Sequence, residues 1–242
     1  MGVTVGVGSM KLAIIPARGG SKRIPRKNIK SFYGKPIIAW SIEAALKSGC
    51  FDSVIVSTDD AEIADVAMKC GAQVPFMRPK DLADDHTGTI SVIQHAIEWV
   101  VQHGRRPQHV CCIYPTAPFV SADDLQRGYR ILLEAKCDYA FSVASYPYPI
   151  QRAIKINAKG GIEMFRPDLF NIRSQDLEPA WHDAGQFYWG RTDAWSEAKM
   201  LFSEGSAPVL IPRHRVQDID TLEDWLCAEW MFEAMLGKLG ST

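Results

Sequence analysis

The segment KLAIIPARGGSKRIPRKN, residues 11–28, joins two unlike halves. Residues 11–17 form a short, almost wholly apolar run, the pattern of a strand buried on both faces. The chain then breaks into Gly19-Gly20 and a basic loop, where Arg18, Lys22, Arg23, Arg26 and Lys27 crowd into one short stretch. The whole protein carries a net charge of only −1, so this charge is local. An exposed basic turn would account for it. So would a cradle for a polyanion, because glycine lets backbone N–H groups approach an anion and Lys and Arg supply the countercharge. Its position directly after a buried strand favours the cradle.

Outward from this segment, short β-branched runs alternate with helical patterns. Helices are expected at 36–47, with proline at the start and Gly49 as a stop, at about 60–69, closed by Gly71, and at 89–102 and 123–135. Strands are expected at 53–57, 73–76, 109–114 and 139–145. This rhythm with short connections predicts an α/β fold with a doubly wound, mostly parallel sheet covered on both faces. Ligands of such sheets sit beyond the carboxyl ends of the strands. From Tyr146 the pattern changes, and turns such as Lys159-Gly-Gly161 mark a small inserted lobe at about 147–183. Sheet character returns at 185–190 and 208–212. A final amphipathic helix is expected at 221–236, with Trp225 and Trp230 as core residues.

At 242 residues and 47% hydrophobic, residues 10–242 can bury one core as a single domain. The first nine residues, MGVTVGVGS, lack the features of a signal peptide and read as a vector-derived remnant before a natural start at Met10. Six cysteines form no CxxC and no framework, which suits a reducing cytoplasm, with adjacent Cys111 and Cys112 as small buried hydrophobes. No apolar stretch approaches the length of a membrane span. Balanced charge argues against a nucleic-acid-binding module. The six histidines show no metal-ligand spacing.

Two carboxylate pairs carry competing readings. Asp59-Asp60 follows the second strand and could face a nucleotide or metal, although helix capping by Asp60 is the simpler role. Asp218-Ile219-Asp220 reads as extended chain, in which residues i and i+2 face one side. The two carboxylates would then share a cleft and could hold Mg²⁺ through hard oxygen ligands, with Ile219 turned inward. Alternatively, Asp220 or Thr221 caps the last helix with Asp224 completing a capping box.

GxxxxGK[ST] is absent, and the GxG at Gly6-Val-Gly8 precedes the first strand instead of following it. Ala17-Arg-Gly-Gly-Ser-Lys22, with Ile24-Pro25 and Lys27-Asn28, instead resembles the signature loop of the CMP-sialic acid synthetase family. Four more blocks follow in order: Val56-Ser-Thr-Asp59, Arg78-Pro-Lys-Asp-Leu82, Tyr114-Pro-Thr-Ala-Pro118 and Gln217-Asp-Ile-Asp-Thr221. Tyr114 stands where sialic acid synthetases carry glutamine, and Phe119 replaces a leucine-arginine pair. With Trp181-His-Asp-Ala-Gly-Gln-Phe-Tyr188, the chain is similar to the pseudaminic acid cytidylyltransferase branch.

The resemblance implies a Rossmann-like sheet of the nucleotide-diphospho-sugar transferase type and a reaction of CTP with a nonulosonic acid, giving a CMP-sugar and pyrophosphate. It implies Arg18, Gly19, Gly20, Ser21, Lys22, Lys27 and Asn28 around the triphosphate and ribose, and Arg78, Thr87 and Thr89 around the nucleoside. Tyr114, His182 and Gln186 would meet the sugar. Arg18, Lys22 and Asp220 would carry catalysis, with Mg²⁺ on Asp218 and Asp220. Arg23 and Arg26 read as solvated loop charges. A homodimer joined through the inserted lobe, a cytoplasmic location, and no nucleic-acid or membrane partner complete the expectation. Sialic acid or 3-deoxy-manno-octulosonate synthetases would use nearly the same CTP site. A non-catalytic nucleotide-binding regulator is the rival from another class, and the paired Asp218 and Asp220 speak against it.

Overall fold

The computed structural model describes residues 10–84 and 87–239. The supposed remnant at 1–9 lies outside the described residues. Six strands form the central sheet: β1 (Lys11–Pro16), β2 (Ser53–Ser57), β3 (His109–Ile113), β4 (Tyr139–Ser145), β5 (Trp181–Arg191) and β6 (Ser206–Leu210). Their spatial order is β6-β4-β5-β3-β1-β2. β1 pairs in parallel with β2 and β3, and β6 with β4, while β5 runs antiparallel between β3 and β4. The expected doubly wound, mostly parallel sheet is therefore present, with one reversed strand in its middle.

Every residue of β2 and β3 is buried, which explains why these strands read as continuous apolar runs. Successive side chains serve opposite faces. Ala13, Ile15, Val54, Val56, Cys111 and Ile113 pack beneath α1 (Ile37–Ser48), α2 (Ala61–Lys69) and α4 (Ala122–Glu134). Leu12, Ile14, Ile55, Val110 and Cys112 pack beneath α3 (Thr89–Gln102) and the short α5 (Thr192–Ser196). Both adjacent cysteines are fully buried, as their apolar setting predicts. A third cluster joins Ile24 and Phe32 to Ile219, Trp225 and Phe232 of the last turn and α6 (Leu222–Leu239), and so ties the basic loop to the carboxyl end of the chain.

Three expectations change. No strand forms at 73–76; two isolated bridges, Ile55 with Gln73 and Thr58 with Met77, replace it. Pro75 between them has no N–H to donate. Trp225 is buried but Trp230 is 65% exposed, because five positions along a helix place a side chain well around the axis. The lobe carries one small hairpin, Ile154–Ile156 with Ile162–Met164, and its last residues already belong to β5. Among the described residues, no helix is long and apolar enough to cross a membrane.

Candidate active site

A cavity of about 310 Å³ opens beyond the carboxyl ends of β1 and β3, where a doubly wound sheet is expected to bind its ligand. Arg18, Ser21, Lys22, Lys27 and Asn28 line one wall, and Arg78, Thr87 and Thr89 another. Tyr114 and Asp220 complete the ring of sequence-predicted residues at its surface.

The loop after β1 is stapled from beneath. Asn28 is buried and donates through Nδ2 to the Arg18 carbonyl at 2.9 Å. The Gly19 amide donates to Asp59 Oδ1 at 3.1 Å. Gly19 also passes so close to α2 that a Cβ there would lie 2.6 Å from Asp60 Oδ2, whereas Gly20 has open space. The two glycines therefore do different work: Gly19 permits close packing and Gly20 leaves the loop crest uncluttered. Asp60 accepts the Ile63 amide at 3.0 Å as the cap of α2, and Asp59 braces the loop instead of capping.

Arg26 is not a solvated charge. It takes a left-handed conformation (φ 54°) and binds both Asp60 and Glu62. The Arg26 hydrogen bond holds the Asp60 carboxyl down at about 2. Arg23 is exposed, as expected of a solvated loop charge, and reaches Asp220 Oδ2 at 2.8 Å. Both pairings link segments far apart in sequence, so local spacing carried no sign of them.

Across the cleft, Lys27 Nζ lies 3.2 Å from Asp220 Oδ1 and also donates to the Ile219 carbonyl. Ile219 is fully buried, as expected. Residues 218–220 belong to no strand, however, and Asp218 does not line the main cavity. Its carboxyl is pushed upward, first by desolvation and then by the charge of Asp220. The capping of α6 falls to Thr221, whose Oγ1 accepts the Asp224 amide at 3.2 Å while Asp224 Oδ2 accepts the Thr221 amide at 2.7 Å. Asp220 is thereby left to face the cations.

At the other wall, Arg78 is buried, donates to the Ala17 carbonyl at 2.9 Å and stands 3.6 Å from Asp59. Its Nε has no partner among the described residues. Thr87 is fixed by Asp84, whose Oδ1 accepts from both its amide and its hydroxyl at 2.7 Å. Asp84 in turn accepts from Arg18 through its carbonyl at 2.8 Å. Thr89 opens α3, where Gly88 provides no side-chain cap, so the positive end of that helix meets the cleft uncovered by its own cap residue.

The three residues expected at the sugar are split. Tyr114 lines the cleft, and its backbone amide donates to the Gln186 carbonyl at 2.9 Å. Gln186 is buried behind it, with Nε2 on the Arg215 carbonyl and Oε1 without a partner among the described residues. His182 lies apart, lining a separate cavity with Arg213, His214 and Met231, its ring 4.9 Å from that of Tyr146. Sequence reasoning did not single out Asp84 or Thr116, which also line the cleft. Thr116 sits in the quoted Tyr114–Pro118 block; Asp84 left no signal beyond its proximity to Arg78.

A mostly parallel sheet that presents a cationic loop at its carboxyl edge, with Asp220 facing those cations in one cleft, is the arrangement of a nucleotide-handling transferase. The sequence profile of the family "Cytidylyltransferase" matches residues 12–157, and the chain belongs to that family; it is a nucleotidyltransferase. It is 46% identical over 222 residues to the pseudaminic acid cytidylyltransferase of Campylobacter jejuni subsp. jejuni serotype O:2, covering 92% of this chain and 96% of that one. The CMP-N,N'-diacetyllegionaminic acid synthase of Legionella pneumophila is 34% identical, again over 92% and 96% of the two chains. Among solved structures, CMP:2-keto-3-deoxy-manno-octonic acid synthetase complexed with CTP superposes with a TM-score of 0.67 at 17% identity, covering 95% of this chain and all of that one. That likeness shows a shared fold.

Proposed function

We propose that this enzyme activates a nonulosonic acid, pseudaminic acid first among them, with CTP. The anomeric hydroxyl attacks the α-phosphorus, the bond to the β-phosphate oxygen breaks, and pyrophosphate leaves as the CMP-sugar forms. The reading is carried by the closure of the cationic loop onto Asp220 across one cleft, in a chain so similar to a pseudaminic acid cytidylyltransferase.

Negative charge builds on the phosphates as the bonds rearrange, so fixed cations at those oxygens lower the barrier more than they stabilise the ground state. Arg18 and Lys22 line the cleft where the triphosphate would lie. Lys27, held by Asp220 and Ile219, ties the loop to the segment before α6. Asn28, Gly19, Gly20 and Ser21 shape the loop, and Arg78, Thr87 and Thr89 would frame the nucleoside. Tyr114, with Gln186 behind it, would meet the sugar, while the position of His182 assigns it to the neighbouring cavity. Asp220, which lines the cleft, would accept the proton of the attacking hydroxyl.

For Mg²⁺, the donor chemistry fits: Asp218 and Asp220 are hard oxygen donors near enough that one charge raises the other's proton affinity. Two carboxylates are a partial shell, and among the described residues no group of three or more His, Cys, Asp or Glu stands ready to hold a metal alone. Triphosphate oxygens and water would complete it. Bound there, the ion would neutralise phosphate charge and help orient the attacking hydroxyl.

We further infer a cytoplasmic homodimer joined through the lobe. Tyr148, Ile156, Ile162, Phe165 and Phe170 are each more than 60% exposed, and large apolar side chains left open in one lobe favour a partner. The test of the activity is pyrophosphate release from CTP against a panel of nonulosonic acids that includes pseudaminic, legionaminic and N-acetylneuraminic acids. Pseudaminic acid is expected to react fastest; no release with any sugar would overturn the reading.

A further inference from the structure

Residues 211–220 carry the chain from the end of β6 toward α6 and bring Asp220 to the cleft. The regular structure in this stretch is one 3₁₀ turn, Arg213–Arg215. Arg215 closes that turn and is held at both ends. Its guanidinium forks onto Asp124, with Nη1 donating to Oδ2 at 2.6 Å and Nη2 to Oδ1 at 3.2 Å. Its backbone carbonyl accepts Gln186 Nε2 at 2.5 Å. Both partners are interior groups, Asp124 being 4% exposed and Gln186 2%.

Each partner is itself fixed and leads back to the cleft. Asp124 lies in the first turn of α4, where it also accepts from the Ser121 hydroxyl at 2.6 Å and from Arg127 at 2.9 Å. That helix begins shortly after Tyr114, Pro115 and Thr116, which line the cleft. The Gln186 carbonyl accepts the Tyr114 amide at 2.9 Å. One residue of β5 thus holds the cleft wall through its backbone and Arg215 through its side chain. One position earlier, a Cβ on Gly185 would lie 3.9 Å from the Asp218 carboxylate. The stretch from Arg215 to Asp218 is therefore laid against Gly185 and Gln186.

We propose that Arg215 is a positioning residue of the transfer reaction: clamped between Asp124 and Gln186, it sets where the segment bearing Asp218 and Asp220 stands relative to the Tyr114 wall. Arg215 does not line the cleft and acts through its neighbours. The proposal rests on the reading that Asp220 serves the attacking hydroxyl. The clamp needs a guanidinium, because two coplanar N–H groups meet two carboxylate oxygens, which a single ammonium cannot match.

Arg215→Ala and Arg215→Lys test it by steady-state pyrophosphate release with CTP and pseudaminic acid. Without Arg215, Asp124 keeps its pair with Arg127, so no uncompensated charge is buried and the fold should survive. Melting curves set a temperature at which every variant is folded. There kcat should fall about 10- to 100-fold, as for a reacting group displaced by about an ångström. The KM for CTP should stay within about twofold, since the basic loop and Arg78 lie on other segments. The Arg215 side chain is 22% exposed, so a small cation can enter the space it vacates. Guanidinium chloride below denaturing concentration should therefore restore part of the kcat of Arg215→Ala, whereas equal sodium chloride should not. If that variant does not fold, the kcat of Arg215→Lys and Asp124→Asn decides. A merely structural role would lower the melting temperature and leave the folded variants at wild-type kcat. That result, or a parallel loss of CTP affinity, would overturn the proposal while leaving the cytidylyltransferase reading intact. If wild type releases no pyrophosphate with this pair, that reading fails, and the proposal with it.

Discussion

Lys27 and Asp220 stand 193 positions apart in the sequence, yet the ammonium of one lies 3.2 Å from the carboxylate of the other. This contact and the parallel one from Arg23 to Asp220 join the first loop of the chain to the turn before its last helix. Asp220→Asn keeps the size of the side chain and removes the charge that holds both cations. Turnover should fall by roughly 10²-fold or more, as for a group that acts on developing charge, while melting temperature moves by a few degrees at most. The same variant and Asp218→Asn, followed across a Mg²⁺ titration, should need more metal for half-maximal activity. Wild-type rates in both would remove the metal assignment.

Arg18→Ala and Lys22→Ala probe the loop itself. Both side chains line the cleft, and changes in an exposed loop seldom shift stability beyond about 0.5 kcal/mol. Each should lower kcat/KM by about 10²-fold with a near-normal melting curve. Full activity in both would place the triphosphate elsewhere.

Gly19→Ala separates packing from ligand binding. A Cβ there would meet Asp60 Oδ2 at 2.6 Å and push it from its Arg26 pair and from its capping of α2. The expected loss is about 1–3 kcal/mol, the usual range for overpacking. Gly20→Ala, with open space around it, should be far milder. Adding Asp60→Ala to the first variant should cost less than the sum of the two single changes, because both disturb the same contact. Strict additivity by denaturant unfolding would contradict the clash.

These contacts also mark what the sequence could and could not disclose. β2, β4 and α3 fall on their expected residues because burial on both strand faces, or a 3.6-residue stripe, leaves a periodic trace. The basic loop, its glycines and the Asp218-Ile219-Asp220 segment were legible as motifs. Their partners were not: the hold of Arg26 on Asp60 and that of Arg23 on Asp220 are made by the folded topology, which local spacing does not encode. Pro75 was a local signal, read too lightly against an otherwise strand-like Gln73–Phe76. The reversed direction of β5 has no signature at all in the 185–190 run, since a strand buried on both faces reads alike in either orientation.

The exposed lobe predicts its own measurement. Ile156 and Phe165 are 77% and 61% exposed, and neither belongs to the central sheet or the cleft. Ile156→Glu with Phe165→Glu should therefore leave the fold intact and shift the protein from dimer to monomer at micromolar concentration in sedimentation velocity. A wild-type protein already monomeric under those conditions would refute the proposed assembly.

Acid should weaken one tie of the phosphate loop in a predictable window. Arg26 lowers the Asp60 carboxyl from the ordinary 3.8 to about 2. A depressed carboxylate contributes stability that is fully present above its unfolded pKa and is lost as pH falls through the folded one. The contribution is complete above about pH 4 and fades toward pH 2. Because the pair is partly open to solvent, with side chains 38% and 22% exposed, its worth is about 1–2 kcal/mol rather than the full linkage value. Asp60→Asn isolates it: the amide oxygen still caps Ile63, as asparagine caps nearly as well as aspartate, but the charge is gone. Carboxylates that do not touch Arg26 titrate alike in both proteins, so the difference in unfolding free energy between wild type and variant reports the Arg26 cluster of Asp60 and Glu62. That difference should hold steady from pH 7 to about pH 4.5 and shrink by half or more by pH 2.5. A gap that stays constant down to pH 2.5 would mean that the ion pair contributes nothing and that Arg26 holds its left-handed turn by packing alone.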